Sequence, residues 1–213
     1  PQAFANTVWA YATAGHAAPE LFDAVALEAQ PRLGEFKPQA FANTAWAYAR
    51  ARHAAPALLD AIATAAMARV DDFSPQALAN MAWAYATARQ PAPALMDAIA
   101  VAAVVQIAEF NPQDLANTAW AYATARHEVP ELMDAIAVAV AVRAGEFQTQ
   151  NLANTAWAYA TAGHGSPALM DAIAAVAAAR MGKFKPQELA NTAWAYARAR
   201  HAAPALLDAI ATA

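Results

Sequence analysis

The chain repeats itself every 37 residues without slippage. Trp9, Trp46, Trp83, Trp120, Trp157 and Trp194 mark the step, and so do Asn6, Asn43, Asn80, Asn117, Asn154 and Asn191. Asp23, Asp60, Asp97, Asp134, Asp171 and Asp208 keep it as well. A fixed period of this length is the signature of a solenoid, in which each repeat buries its apolar faces only against its neighbours. The repeats are 1–37, 38–74, 75–111, 112–148, 149–185 and a partial 186–213, read as a single array. Pro1 has no polar cap before it and the sixth repeat stops inside its second element, so the expectation is an excerpt of a longer array.

Within repeat 38–74, Pro38 to Ala51 reads as a helix of about four turns. Pro suits the first helical turn, where its missing N–H costs nothing. Ser74 and Asn111 precede the corresponding prolines as N-caps. Arg52 to Ala55 makes a turn, and Pro56 opens a second helix through Leu58, Leu59, Ile62, Ala63, Ala66 and Val70, apolar at helical spacing. Connections such as Gly34-Glu35-Phe36-Lys37 and Gly145-Glu146-Phe147-Gln148 end that helix, with Gly expected in a left-handed cap. The predicted fold is all-α, a right-handed α-solenoid of helical hairpins, with no strand.

On a helical wheel of the first helix, Phe4, Val8 and Tyr11 cluster on the side expected to meet the second helix of the same repeat. Ala3, Thr7, Ala10 and Ala14 form a side of small residues; Ala5, Trp9 and Ala12 lie roughly opposite. Gln2, Asn6 and Thr13 form a narrow polar stripe beside Trp9, expected to line one surface of the array.

Two readings of the recurring stripe stay open. In one, Trp fills the space against the neighbouring alanine side and Asn stitches adjacent first helices through hydrogen bonds. In the other, Trp stacks on bases while Asn and Gln meet base edges or a peptide backbone. Positions that vary are more informative. The helix end carries Thr13, Arg50, Thr87, Thr124, Thr161 and Arg198. Two residues on stand Gly15, Arg52, Arg89, Arg126, Gly163 and Arg200, followed by His16, His53, Gln90, His127, His164 and His201. One cation per helix C-terminus follows from the helix dipole, at about 0.3–1 kcal/mol each. Arg50 with Arg52, and Arg198 with Arg200, exceed that and read as a basic rail for phosphates.

Bulk properties limit the alternatives. The formal charge of −4 argues against a generic polyanion binder, although only one face needs to be basic. With no Cys there is no disulfide framework and no thiolate metal site. The longest apolar stretches, such as 135–142, fall short of the about 20 residues of a membrane span. A His53–Asp60 pairing would suit acid–base chemistry, but it recurs along the chain, and an enzyme needs one site. The His row, at about 8–10 Å per repeat, is too open for shared metal ligation at about 2 Å. No phosphate loop, nucleophile elbow or zinc motif is present. The expectation is a binding array that is not an enzyme, without metal, cofactor, membrane span or small-molecule substrate.

The motif Pro-Gln-x-Leu-Ala-Asn-Thr-Ala-Trp-Ala-Tyr-Ala, as in Pro112 to Ala123 and Pro186 to Ala197, resembles the octotricopeptide repeat and related arrays of RAP-domain and FAST-kinase-like proteins. The resemblance spans the chain repeat by repeat. It implies single-stranded RNA binding along the first helices in a chloroplast or mitochondrion. The contacts would be Asn6, Asn43, Asn80, Asn117, Asn154 and Asn191 with the variable helix-end residues beside them. The departures are a 37-residue period where that family has a nominal 38, and no RAP-type domain. The stripe hardly varies, whereas a base-reading code requires variation. Residues 42–65 and 190–213 are identical, which reads as recent duplication or engineering. The competing partner is a protein or extended peptide held by the same Asn and Trp surface, or a larger assembly in which the array is structural.

Overall fold

A computed structural model describes residues 2–212. Among them are twelve α-helices and no strand, arranged as the hairpins the period predicts. The first helices of the six repeats are α1 (Gln2–Ala14), α3 (Pro38–Ala51), α5 (Pro75–Ala88), α7 (Pro112–Ala125), α9 (Thr149–Ala162) and α11 (Pro186–Ala199). The second helices are α2 (Pro19–Ala29), α4 (Pro56–Met67), α6 (Pro93–Val105), α8 (Pro130–Arg143), α10 (Pro167–Ala179) and α12 (Pro204–Ala211). Ser74 and Asn111 cap as expected, their side chains accepting from Ala77 N and Asp114 N. The chain forms two compact bodies, one running to Val105 and the other starting at Gln106. In each, neighbouring hairpins stack as in an α-solenoid, with first helix on first helix.

The first helices at the chain's two ends reveal which side meets which neighbour. In α1, Ala3, Thr7 and Ala10 are exposed while Ala5, Val8 and Ala12 are buried. In α11 the pattern reverses: Thr192 and Ala195 are buried and Ala190 and Ala197 are exposed. The positions of Ala3, Thr7 and Ala10 therefore face the preceding first helix, and those of Ala5 and Ala12 face the following one. Helix α3, which packs on both α1 and α5, buries Ala40, Thr44 and Ala47 on one side and Ala42 and Ala49 on the other. Small residues on both sides let the backbones approach and the first helices pack along their length. The second helices meet more sparsely in most pairs.

The tyrosines correct the wheel. Tyr48 reaches beyond its own hairpin: its hydroxyl donates to Phe22 O of α2, in the preceding repeat, at 2.6 Å. Tyr85 does the same to Leu59 O at 2.6 Å, Tyr159 to Met133 O at 2.5 Å and Tyr196 to Met170 O at 2.6 Å. Tyr11 is exposed in α1, where the described residues place no hairpin on that side. Burial, with a nearby Asp as the lesser cause, pushes the four hydroxyls up, so each stays a donor throughout the ordinary pH range.

A second link between repeats joins the connections. Arg69, Arg143 and Arg180 donate through Nη1 to Phe36 O, Phe110 O and Phe147 O of the repeat before, at 2.7, 2.8 and 3.0 Å. The glycines of these connections are not the left-handed residues. Gly34 and Gly145 lie in 3-10 turns, and positive φ occurs at the ends of the first helices instead.

The Tyr link generates a graded prediction. Tyr159→Phe removes one hydrogen bond and keeps the ring, so it should cost about 0.5–1.5 kcal/mol. Tyr159→Ala also opens a cavity and should cost about 3–5 kcal/mol. Urea denaturation separates the two; equal losses would mean that the hydroxyl, and not ring packing, dominates.

Candidate nucleic-acid interface

With both flanks of α3 and of α9 buried against the first helices on either side and the hairpin partner behind, one strip is left to solvent. In α3 it is Gln39, Asn43, Trp46 and Arg50; in α9 it is Gln150, Asn154, Trp157 and Thr161. These fall at i, i+4, i+7 and i+11, which is one helix face. The same positions are half-buried or exposed in all six first helices.

The asparagines do not form the expected ladder between helices. Asn6 accepts from Gln2 Nε2 at 2.9 Å, and Asn191 from Gln187 Nε2 at 2.9 Å, both within one helix. Asn43, Asn80, Asn117 and Asn154 are half-buried and make no side-chain hydrogen bond among the described residues. Their amides remain available to a ligand. The stitching role belongs to Tyr and Arg.

The tryptophans of neighbouring first helices meet one another across the helix boundary. They form a row on the surface. Ring centroids lie 6.3 Å apart for Trp9–Trp46 and 6.0 Å for Trp46–Trp83 in one body. In the other they lie 6.4 Å apart for Trp120–Trp157 and 6.3 Å for Trp157–Trp194. Trp46 and Trp157 are half-buried; Trp9 and Trp194 are 44 % and 45 % exposed. A planar base inserted between two rings needs two contact distances of about 3.5 Å each, or about 7 Å. The observed gaps are smaller, so the indoles support one another and offer their edges as an apolar floor.

The helix-end residues divide by chemistry. Arg50 and Arg198 are exposed. Thr87, Thr124 and Thr161 are half-buried and their hydroxyls make no hydrogen bond, whereas Thr13 at the same position is exposed. Arg52, Arg89, Arg126 and Arg200 are exposed and adopt the left-handed conformation, with φ between 53° and 55°. Gly15 and Gly163 occupy the same position at φ 66° and 69°. Each of these residues closes its helix by donating its own N–H back into the last turn, as Arg52 N does to Ala49 O at 3.2 Å. An L-residue there costs roughly 1–2 kcal/mol that Gly does not incur. Four arginines thus stand where backbone energetics favours Gly. Arg50, Arg52, Arg89, Arg126, Arg198 and Arg200 make no ion pair or hydrogen bond through their guanidinium groups among the described residues.

Three of the histidines behind this edge bond to the preceding repeat. His53 Nε2 meets Asp23 Oδ1 at 2.8 Å, in the preceding repeat, and not Asp60. His164 pairs with Asp134 and His201 with Asp171, each at 2.7 Å. Gln90 replaces His and donates to Asp60 at 2.8 Å. An amide serves the same position, so the pairing needs a hydrogen bond and not an acid or base. The described residues hold no group of side chains arranged for a metal, and no helix among them is long and apolar enough to cross a membrane.

A protein-family profile described as RNA-editing substrate-binding complex 6 protein matches residues 2–213. The chain belongs to that family. Among curated proteins none matches it. The family's name associates this helical array with RNA, and the match covers every first helix of the exposed strip.

Two stability changes follow from the geometry. Arg126→Gly should raise stability by about 0.5–1 kcal/mol, by relieving the left-handed residue. Trp157→Ala should cost less than the about 3–5 kcal/mol of a core aromatic, because its ring is only half-buried. Thermal or urea unfolding checks both; a destabilised Arg126→Gly would show that the guanidinium is held by the fold.

Proposed function

We propose that the chain binds single-stranded RNA along the exposed strip of its first helices, as a non-catalytic subunit of an RNA-editing substrate-binding assembly. The observation that carries the reading is the unpaired arginines held in left-handed caps at the ends of first helices whose Asn amides are open. Sequence-independent RNA affinity comes mainly from cations on phosphates, and planar guanidinium groups suit that role. Arg50, Arg52, Arg89, Arg126, Arg198 and Arg200 would meet phosphates. Asn43, Asn80, Asn117 and Asn154 would meet base edges at about one nucleotide per repeat within each body. The near-invariant strip fits a repetitive target or contacts of low sequence selectivity. The octotricopeptide affiliation and the organellar setting enter this proposal from the sequence resemblance.

A second reading, a protein scaffold inside such an assembly, is favoured by the net charge of −4. Labelled poly-pyrimidine and poly-purine oligomers of about ten nucleotides, titrated at two salt concentrations, decide between the two. On the RNA reading the parent binds with steep salt dependence. Replacing Arg52, Arg89 and Arg126 by Glu abolishes binding without unfolding the chain. Replacing the same three by Gln lowers the slope of log affinity against log salt by about 2. A folded parent that binds no oligomer at low salt supports the scaffold.

A further inference from the structure

Two recesses open at the hairpin edge, one in each body, and they are built from the same positions of the repeat. The first is lined by Tyr11, Gly15, His16, Arg50, Arg52 and His53 and has a volume of about 360 Å³. The second is lined by the equivalents Tyr122, Arg126, His127, Thr161, Gly163 and His164, and is about 710 Å³. It also reaches Trp194 and Arg198 in the next repeat. It is a half-open cleft whose volume falls in the about 300–1,000 Å³ range of small-ligand clefts.

The second recess has a mixed lining that narrows its ligand. Arg126 and Arg198 bring two guanidinium groups with no carboxylate partner. Glu128, also exposed and unpaired, brings one carboxylate. Val129, Met133 and the indole of Trp194 supply apolar wall. A bare anion would gain from the arginines and be repelled by Glu128; a cation would meet the reverse. A group that is anionic at one end, carries neutral hydroxyl donors in the middle and is flat and apolar at the other satisfies all three. Guanidinium forks take phosphate oxygens, a carboxylate accepts from ribose hydroxyls, and an aromatic or thioether wall packs a base. The first recess has Ala17 where the second has Glu128, and so lacks the carboxylate.

We propose that the second recess is a ribonucleotide pocket, holding one nucleotide of the bound strand out of the row with its phosphate on Arg126, its ribose hydroxyl on Glu128 and its base towards Trp194 and Arg198. This rests on the RNA reading above and adds to it a fixed anchoring point and a preference for RNA over DNA. The 2′-hydroxyl is the group that distinguishes the two.

Adenosine 5′-monophosphate and its 2′-deoxy counterpart, titrated separately into the 213-residue chain and followed by NMR shifts, test the pocket. Saturable binding at one site is expected, at least fivefold tighter for the ribonucleotide. Arg126→Gly combined with Arg198→Ala should weaken both by tenfold or more. Arg126→Gly relieves backbone strain, so loss of fold is not the expected cause. Glu128→Gln should lose most of the ribose preference and retain deoxynucleotide binding, and Lys183→Glu, outside the recess, should change neither. No saturation at millimolar nucleotide, equal binding of the two sugars, or indifference to the arginine pair would overturn the pocket. Oligomer binding measured on the same samples separates the failures. If the oligomer binds and the mononucleotide does not, the pocket is wrong and the RNA reading stands. If neither binds, the RNA reading falls too.

Discussion

The structure depends on close, two-sided packing of its first helices. A first helix with a neighbour on each side within its body must present small residues to both, as α3 does with Ala40, Thr44 and Ala47 on one side and Ala42 and Ala49 on the other. Large side chains have few places left. Phe41 packs towards Phe36 and Phe73 of the connections, and Tyr48 reaches back to the preceding hairpin. Gln, Asn and Trp remain on the one strip that no helix covers. The candidate interface is therefore what solenoid packing leaves outside, and its regularity is the regularity of the packing.

Packing of small residues is weakly directional, since alanine surfaces slide. The register is fixed by polar contacts of constant sequence separation that reach into the preceding repeat. A Tyr hydroxyl donates to a second-helix carbonyl, a His or Gln meets an Asp, and an Arg donates to the carbonyl of a connecting Phe. Each ties a repeat only to its neighbour, so stability accrues step by step along each body. The His and Asp of these pairs tie each repeat to the one before it. That Gln90 does the work of His makes the point independently of any titration.

The fold was legible in the sequence because the period, the helix-opening prolines and the alanine-rich faces all specify hairpins that stack. The helix limits Pro38 and Ala51 and the caps at Ser74 and Asn111 could be read directly. The contacts between repeats were not legible, because a wheel shows which side a residue occupies but not which neighbour arrives there. Tyr48 and His53 were therefore paired within their own repeat when they act across the boundary. The Asn strip was visible, and its open amides were not, since that depends on Tyr and Arg having taken over the stitching. The left-handed arginines had a faint signal. Gly15 and Gly163 share their position, and a Gly–Arg alternation at a helix end marks positive φ. The buried threonine hydroxyls had none, because Thr87 and Arg50 share a position but differ in length and reach.

The central claim is that RNA lies on the first-helix strip, and the chain carries its own probe of that surface. All six tryptophans stand on the strip and nowhere else. Their combined fluorescence can be followed, with and without acrylamide as a collisional quencher, as a single-stranded oligomer is added at low salt. The account predicts that emission changes in step with binding and that bound RNA protects the indoles from acrylamide. An oligomer that binds, as judged by its own label, while emission and quenching of the six indoles stay as in the free protein, would place the RNA elsewhere and contradict the account.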